Sequence, residues 1–212
     1  MHSLRRMSDL AAAGENLMPV AALPLYPRLL GRSFAALLGP VRALYFITGV
    51  RAARGLAVLR PSTGLLARLL RLLLGMPLSV GEMGLSLRVE PWRGAERWQL
   101  CFGTHAVAIE QRPLPYGLLG ERWRLVELRA RVLVEDRALQ LRPAGAALRL
   151  GPLSLPLPLG LAPQLTAEVR GSDSSLHLRW AVRAPLLGLI CSYEAELGVD
   201  DGARGKSSHG EK

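Results

Sequence analysis

The chain has 212 residues, half of them hydrophobic, a net charge of +10 and two cysteines. That length supports one hydrophobic core without demanding a second domain, and a lone pair of cysteines, Cys101 and Cys191, makes neither a disulfide framework nor a zinc set. The apolar runs fall well short of the roughly 18 residues that span a bilayer, so the expectation is a cytoplasmic protein with no transmembrane segment, at most peripheral to a membrane.

In chain order, residues 1–18 carry Arg5 and Arg6, but only Leu10–Ala13 follows as an apolar stretch, too little for a signal sequence. They read as a flexible segment before a single domain over 19–198. Pro24 and Pro27 suit the opening turn of a helix, and Leu30, Phe34, Leu37 and Leu38 recur at helical spacing until Gly39. Pro40 starts a further turn or two through Tyr45. Arg28 and Arg32 lie four apart on one side of this broken helix. Val50–Leu59 is compatible with a short strand. Ser62 or Thr63 can cap a helix over Gly64–Leu74, closed by Gly75 and Pro77. Its leucines surround a polar stripe of Arg68 and Arg71, and so apolar a helix is expected to be buried on most of its circumference.

Beyond Gly84 the period changes to two. Leu85, Leu87 and Val89 alternate with polar residues, as do Trp98, Leu100 and Phe102, then Val107 and Ile109. Val126, Leu128, Ala130, Val132 and Val134 form the longest such run, turning at Glu135–Arg137 into Leu139 and Leu141. A hairpin pairs Leu165, Ala167 and Val169 with Leu176, Leu178, Trp180 and Val182 across Gly171, Ser172 and Asp173. Leu189, Cys191, Tyr193, Ala195 and Leu197 make a last strand. Repeated alternation means an antiparallel sheet with one buried face. The segment 151–163 (GPLSLPLPLGLAP) has four prolines and reads as a stiff apolar loop. The tail 199–212 is charged, glycine-rich and expected to be disordered. The predicted fold is α+β: short N-terminal helices packed on a curved antiparallel meander of roughly eight strands.

Charge is unevenly placed. From Pro19 to Gly81 there are eight arginines and no acid, whereas from Glu82 to Gly198 fourteen arginines meet twelve acids. Such a segment suits an anionic surface or an acidic partner, and Arg28, Arg32, Arg68 and Arg71 are its candidate binding residues. The alternative is that these arginines only snorkel from leucine-rich helices and pair with Glu110 and Glu127 of the sheet. Nucleic acid is disfavoured, with only two lysines and few aromatics. His105 and His177 have no ligand spacing, Glu194 and Glu196 read as a solvated strand face, and no nucleotide-binding glycine pattern or nucleophile signature is present. Catalytic residues, metal and cofactor are therefore all read as none.

The blocks LPLYPRLLGRSFAALLGPVRALY, RGLAVLR, GLLARLLRLLLGMP, ERWQLCFG, LPLPLGLAP and PLLGLICSYEAEL, in this order, resemble a bacterial family of unknown function, DUF4166, from about Leu23 to Leu197. The chain departs from the family pattern at Tyr45, where a histidine is frequent, and in PYGLLGERW. The resemblance implies no activity. It does imply a candidate oxidoreductase partner, since such domains occur alone or fused to NAD(P)-dependent oxidoreductases of the saccharopine dehydrogenase or epimerase type. Three readings follow. The first is a noncatalytic binding module for an apolar or lipid-like ligand, with its groove at the proline-rich loop and an anionic membrane as its surface. The second is an accessory subunit of an oxidoreductase, and the third an enzyme whose site assembles only in space.

Overall fold

The computed structural model describes residues 23–62, 64–151, 153–158, 162–172 and 174–200. The expectations for Thr63, Asp173 and most of both termini lie outside the described residues. Helix α1 (Leu25–Leu30) gives way at Gly31, whose φ of +54° no helix continues, to a 3₁₀ turn over Gly31–Ala36. Helix α2 (Gly39–Tyr45) restarts with Pro40 in its first turn. The apolar spacing predicted one helix to Leu38; the break puts Arg28 and Arg32 on different elements.

Strand β1 (Arg51–Pro61) leads to α3 (Leu65–Leu74). Then come β2 (Gly81–Trp92), β3 (Ala95–Phe102), β4 (His105–Leu114), β5 (Leu118–Trp123), β6 (Val126–Glu135), β7 (Ala138–Leu150), β8 (Leu153–Pro156), β9 (Gln164–Gly171), β10 (Ser175–Ala184) and β11 (Gly188–Asp200). All pairings are antiparallel. Successive strands pair from β1 to β7, β9 bridges β7 and β10, and β11 follows β10. The last strand then returns to the first, Ala52–Pro61 against Cys191–Asp200. Ten strands close into a barrel, and β8, paired only with the end of β7, is an appendage.

This corrects the α+β fold with an open curved meander of roughly eight strands. Alternation reports that one face of a strand is buried but not whether the first and last edges meet. Here they do, and β1 and β11 satisfy each other's backbone groups. Two-residue turns with both residues at positive φ, Arg93–Gly94 and Asp136–Arg137, join β2 to β3 and β6 to β7 with the twist hairpins require.

The wall is apolar inside and charged outside. Leu85, Leu87 and Val89, Trp98 and Leu100, Val107 and Ile109, Leu128 and Val132 are buried in the lumen, while Arg88, Arg131, Arg170, Arg179, Glu194 and Glu196 stand outside. A barrel that crosses lipid with its strands has the opposite pattern. The first and last strands approach closely at Gly55, where a Cβ would overlap the carbonyl oxygen of Glu196. At one end the lumen is stoppered by α1 and α2: Arg28 Nη2 donates to the Gly94 carbonyl (3.3 Å), and Leu38 and Val41 lie against Gly171. α3 lies across the other end, where the His105 ring is 2.9 Å from the Gly75 carbonyl and Arg124 Nη1 donates to that of Leu72 (3.5 Å).

Candidate functional site

The lumen is not filled by the wall alone. Tyr26 of α1 and Tyr45 of α2 enter from the stoppered end, their rings 4.4 Å apart, and Tyr45 lies 5.3 Å from Trp98. A second aromatic group runs Trp123–Trp180–Tyr193–Phe102, with centroids 4.8, 5.2 and 5.2 Å apart. Between the two groups remains a cavity of about 30 Å³, room for one water molecule.

One row of the lumen is polar. The register places Glu96, Gln111 and Glu121 side by side on β3, β4 and β5, all facing inward and all buried. Tyr26 donates its hydroxyl to Gln111 Oε1 (2.8 Å), Gln111 Nε2 donates to Glu121 Oε1 (2.6 Å), and the Trp123 indole donates to Glu121 Oε2 (3.1 Å). Glu96 repeats the arrangement, accepting from the Trp98 indole and from the Leu25 amide, each at 3.3 Å. Burial pushes the Glu121 carboxyl up to about 7, against the downward pull of Trp123 and Gln111. Burial does the same to Glu96, also to about 7, opposed by Trp98, the Leu25 amide and Arg28. Burial thus favours the protonated form of both carboxyls, and the row latches α1 to the wall.

Periodicity did not single out these residues, yet a signal exists. The tripeptide Glu-Arg-Trp occurs at 96–98 and again at 121–123, and in a strand its glutamate and tryptophan share a face. A tryptophan on the core side therefore marks a glutamate on the core side.

The four predicted arginines do not come together. Arg28 is half-buried at the stoppered end, Arg32 is exposed in the 3₁₀ turn, and Arg68 is exposed on α3 at the opposite end. Arg71 is only 2% exposed; its Nη2 donates to the Pro77 carbonyl while its Nε has no partner. Glu127, offered as a partner for the helix arginines, is met instead by Arg112, Arg129 and Arg149 of the sheet. Burial alone would raise its carboxyl, but these arginines hold it below the usual range.

α3 is not buried all round. Ala67, Arg71 and Leu74 face the barrel, but Leu65, Leu66, Leu69 and Leu72 are 83, 59, 53 and 48% exposed. They line an outward groove with Arg68 and Leu78. The helix is fixed at its C-terminus by Gly75 at φ +74°, with Gly75 and Met76 amides donating to the carbonyls of Leu72 and Arg71 (both 3.0 Å). The proline-rich segment supplies β8, with Leu153 and Leu155 exposed. No helix among the described residues is long and apolar enough to cross a membrane.

The family described as "Domain of unknown function (DUF4166)" matches residues 58–197, from the second half of β1 to Leu197 in β11. The block ending at Tyr45 lies before the match. No curated protein and no solved structure matches the chain.

Proposed function

The chain belongs to the DUF4166 family, a domain of unknown function, and we propose that it is a noncatalytic binding module that takes an apolar, lipid-like molecule into its barrel. The observation that carries this reading is what occupies the lumen. Barrels of eight strands are about filled by their own side chains, and wider ones have space to spare. In this ten-stranded barrel the space holds Tyr26 and Tyr45, which belong to a separate N-terminal segment. Among the described residues that segment donates two hydrogen bonds to the polar row, Leu25 to Glu96 and Tyr26 to Gln111, with Arg28 adding its charge near Glu96.

An aliphatic or isoprenoid body would replace the tyrosines among Trp98, Trp123 and Trp180, and a single hydroxyl or carbonyl would take the place of the Tyr26 phenol at Gln111. Native mass spectrometry of the purified protein, with uptake of a fluorescent long-chain alcohol followed by tryptophan quenching, tests the reading. The expected results are a retained apolar molecule and probe binding that tightens by about tenfold in Tyr26→Ala, where a large buried side chain is removed. Protein recovered repeatedly without ligand, together with a Tyr26→Ala variant that takes up no probe, overturns it.

A further inference from the structure

We infer that the α3 end of the barrel is a docking face for an anionic phospholipid bilayer. The exposed leucines of α3 are not isolated. The turns that share their end of the barrel expose Leu78, Leu125 and Leu186, and the β7–β8 arm adds Leu153 and Leu155. Hydrogen bonds tie these pieces together. Arg124 of the β5–β6 turn reaches Leu72 of α3, the Leu125 carbonyl accepts from the Arg149 amide of the β7–β8 arm (2.7 Å), and Ser62, before α3, donates to Ile190 at the start of β11 (3.1 Å). Leu65, Leu66, Leu69, Leu72 and Leu78 line one apolar groove, and such a patch, with further exposed leucines on the turns of the same end, marks an interaction face.

Charge selects the occupant. Arg68, Arg124 and Arg183 are exposed at this end, and among the described residues its turns and α3 carry no acidic residue; exposed Glu82 of β2 and Glu194 of β11, both paired opposite Val58, stand on the wall. A second copy docked through α3 would bring a second set of Arg68 and Arg124 into the same interface with no acidic residue on α3 or the turns of this end to offset them, which disfavours it. An anionic bilayer offers the complementary arrangement: phosphate head groups for the arginines and acyl chains for the leucines. A ten-residue helix is about 15 Å long, half the hydrocarbon thickness, so α3 lies in the interface and does not cross it.

Flotation of the full chain with vesicles of phosphatidylglycerol and phosphatidylcholine, and with phosphatidylcholine alone, tests the face. The protein is expected to float with the anionic vesicles at low salt, to be released at high salt, and to ignore the neutral ones. Leu65→Gln with Leu69→Gln, both on the outer side of α3, should weaken binding at least about tenfold without lowering the melting temperature. Arg68→Ala should weaken it about fivefold, and Leu56→Gln, exposed on the barrel wall, should leave it unchanged. The inference is overturned if the wild-type protein stays out of anionic vesicles at low salt. It is equally overturned by a solution dimer that the Leu65→Gln, Leu69→Gln variant converts to monomer. These leucines point away from the lumen, so failure here and failure of the lumen reading are separate results.

Discussion

Glu121 is an acid buried among aromatic rings with hydrogen-bond donors but no cation in its row, and its proton makes stability depend on pH. Unfolded, such a carboxyl titrates near 4.5; in the barrel burial raises it to about 7. A folded value above the unfolded one means that the fold holds the proton more tightly, so this contribution is complete below 4.5 and is lost as pH rises through about 7. Glu96 acts in the same direction, each by about 3 kcal/mol. Glu127, held down by arginines, acts oppositely in acid, so the effects separate along the pH axis. In Glu121→Gln the amide cannot accept from both Gln111 and Trp123, which lowers stability at every pH. The decline between 4.5 and about 7 should nevertheless shrink by about half, because one of two such carboxyls is gone. Urea unfolding across that range checks it, and an unchanged slope would mean that Glu121 is ionised in the fold.

α3 shows how one helix can give its two arginines different work. Arg71 lies beneath the helix against the Pro77 carbonyl, and Arg68 stands outside. Arg71→Ala should therefore cost about 1–3 kcal/mol, from lost packing and the hydrogen bond at the helix end, while Arg68→Ala stays within about 0.5 kcal/mol. Equal losses in thermal unfolding would show that both are structural. The leucine pattern located this helix correctly, but not its surroundings, because a leucine facing a core and one left exposed have the same spacing. Strand legibility has similar physical limits. β6 is plain in Val126, Leu128, Ala130 and Val132. β5 is hidden because Leu118 and Leu119 are adjacent, Gly120 follows and Glu121 puts a carboxyl on the inner face. β8 is hidden in a proline-rich segment and itself ends in Pro156, which an appended strand tolerates.

At the scale of the whole molecule, the decisive contact joins the two strands farthest apart in sequence. The inner face of β1 is Ala53, Gly55 and Ala57, small residues that read weakly as a strand, followed by Leu59, and β11 comes close at Gly55. Closure therefore depends on what β1 lacks, a signal that hydrophobic alternation does not carry. Gly55→Ala places a Cβ against the Glu196 carbonyl, and backbone on both sides leaves no flexible side chain to yield. The strands must part, at about 3 kcal/mol or more, toward the severe end of overpacking. Because hairpins such as β2–β3 and β9–β10 are formed locally, they should survive the opening of this seam. Native-state hydrogen exchange should then show wild-type amides of β1 and β11 among the slowest, exchanging only through global unfolding. In Gly55→Ala the amides bonded across the β1–β11 seam should lose protection while those between β2 and β3 keep theirs. Uniform loss in every strand would instead mean that the barrel opens only as a whole, and fast exchange of the β1–β11 amides in the wild type would mean that the ring is open at this seam.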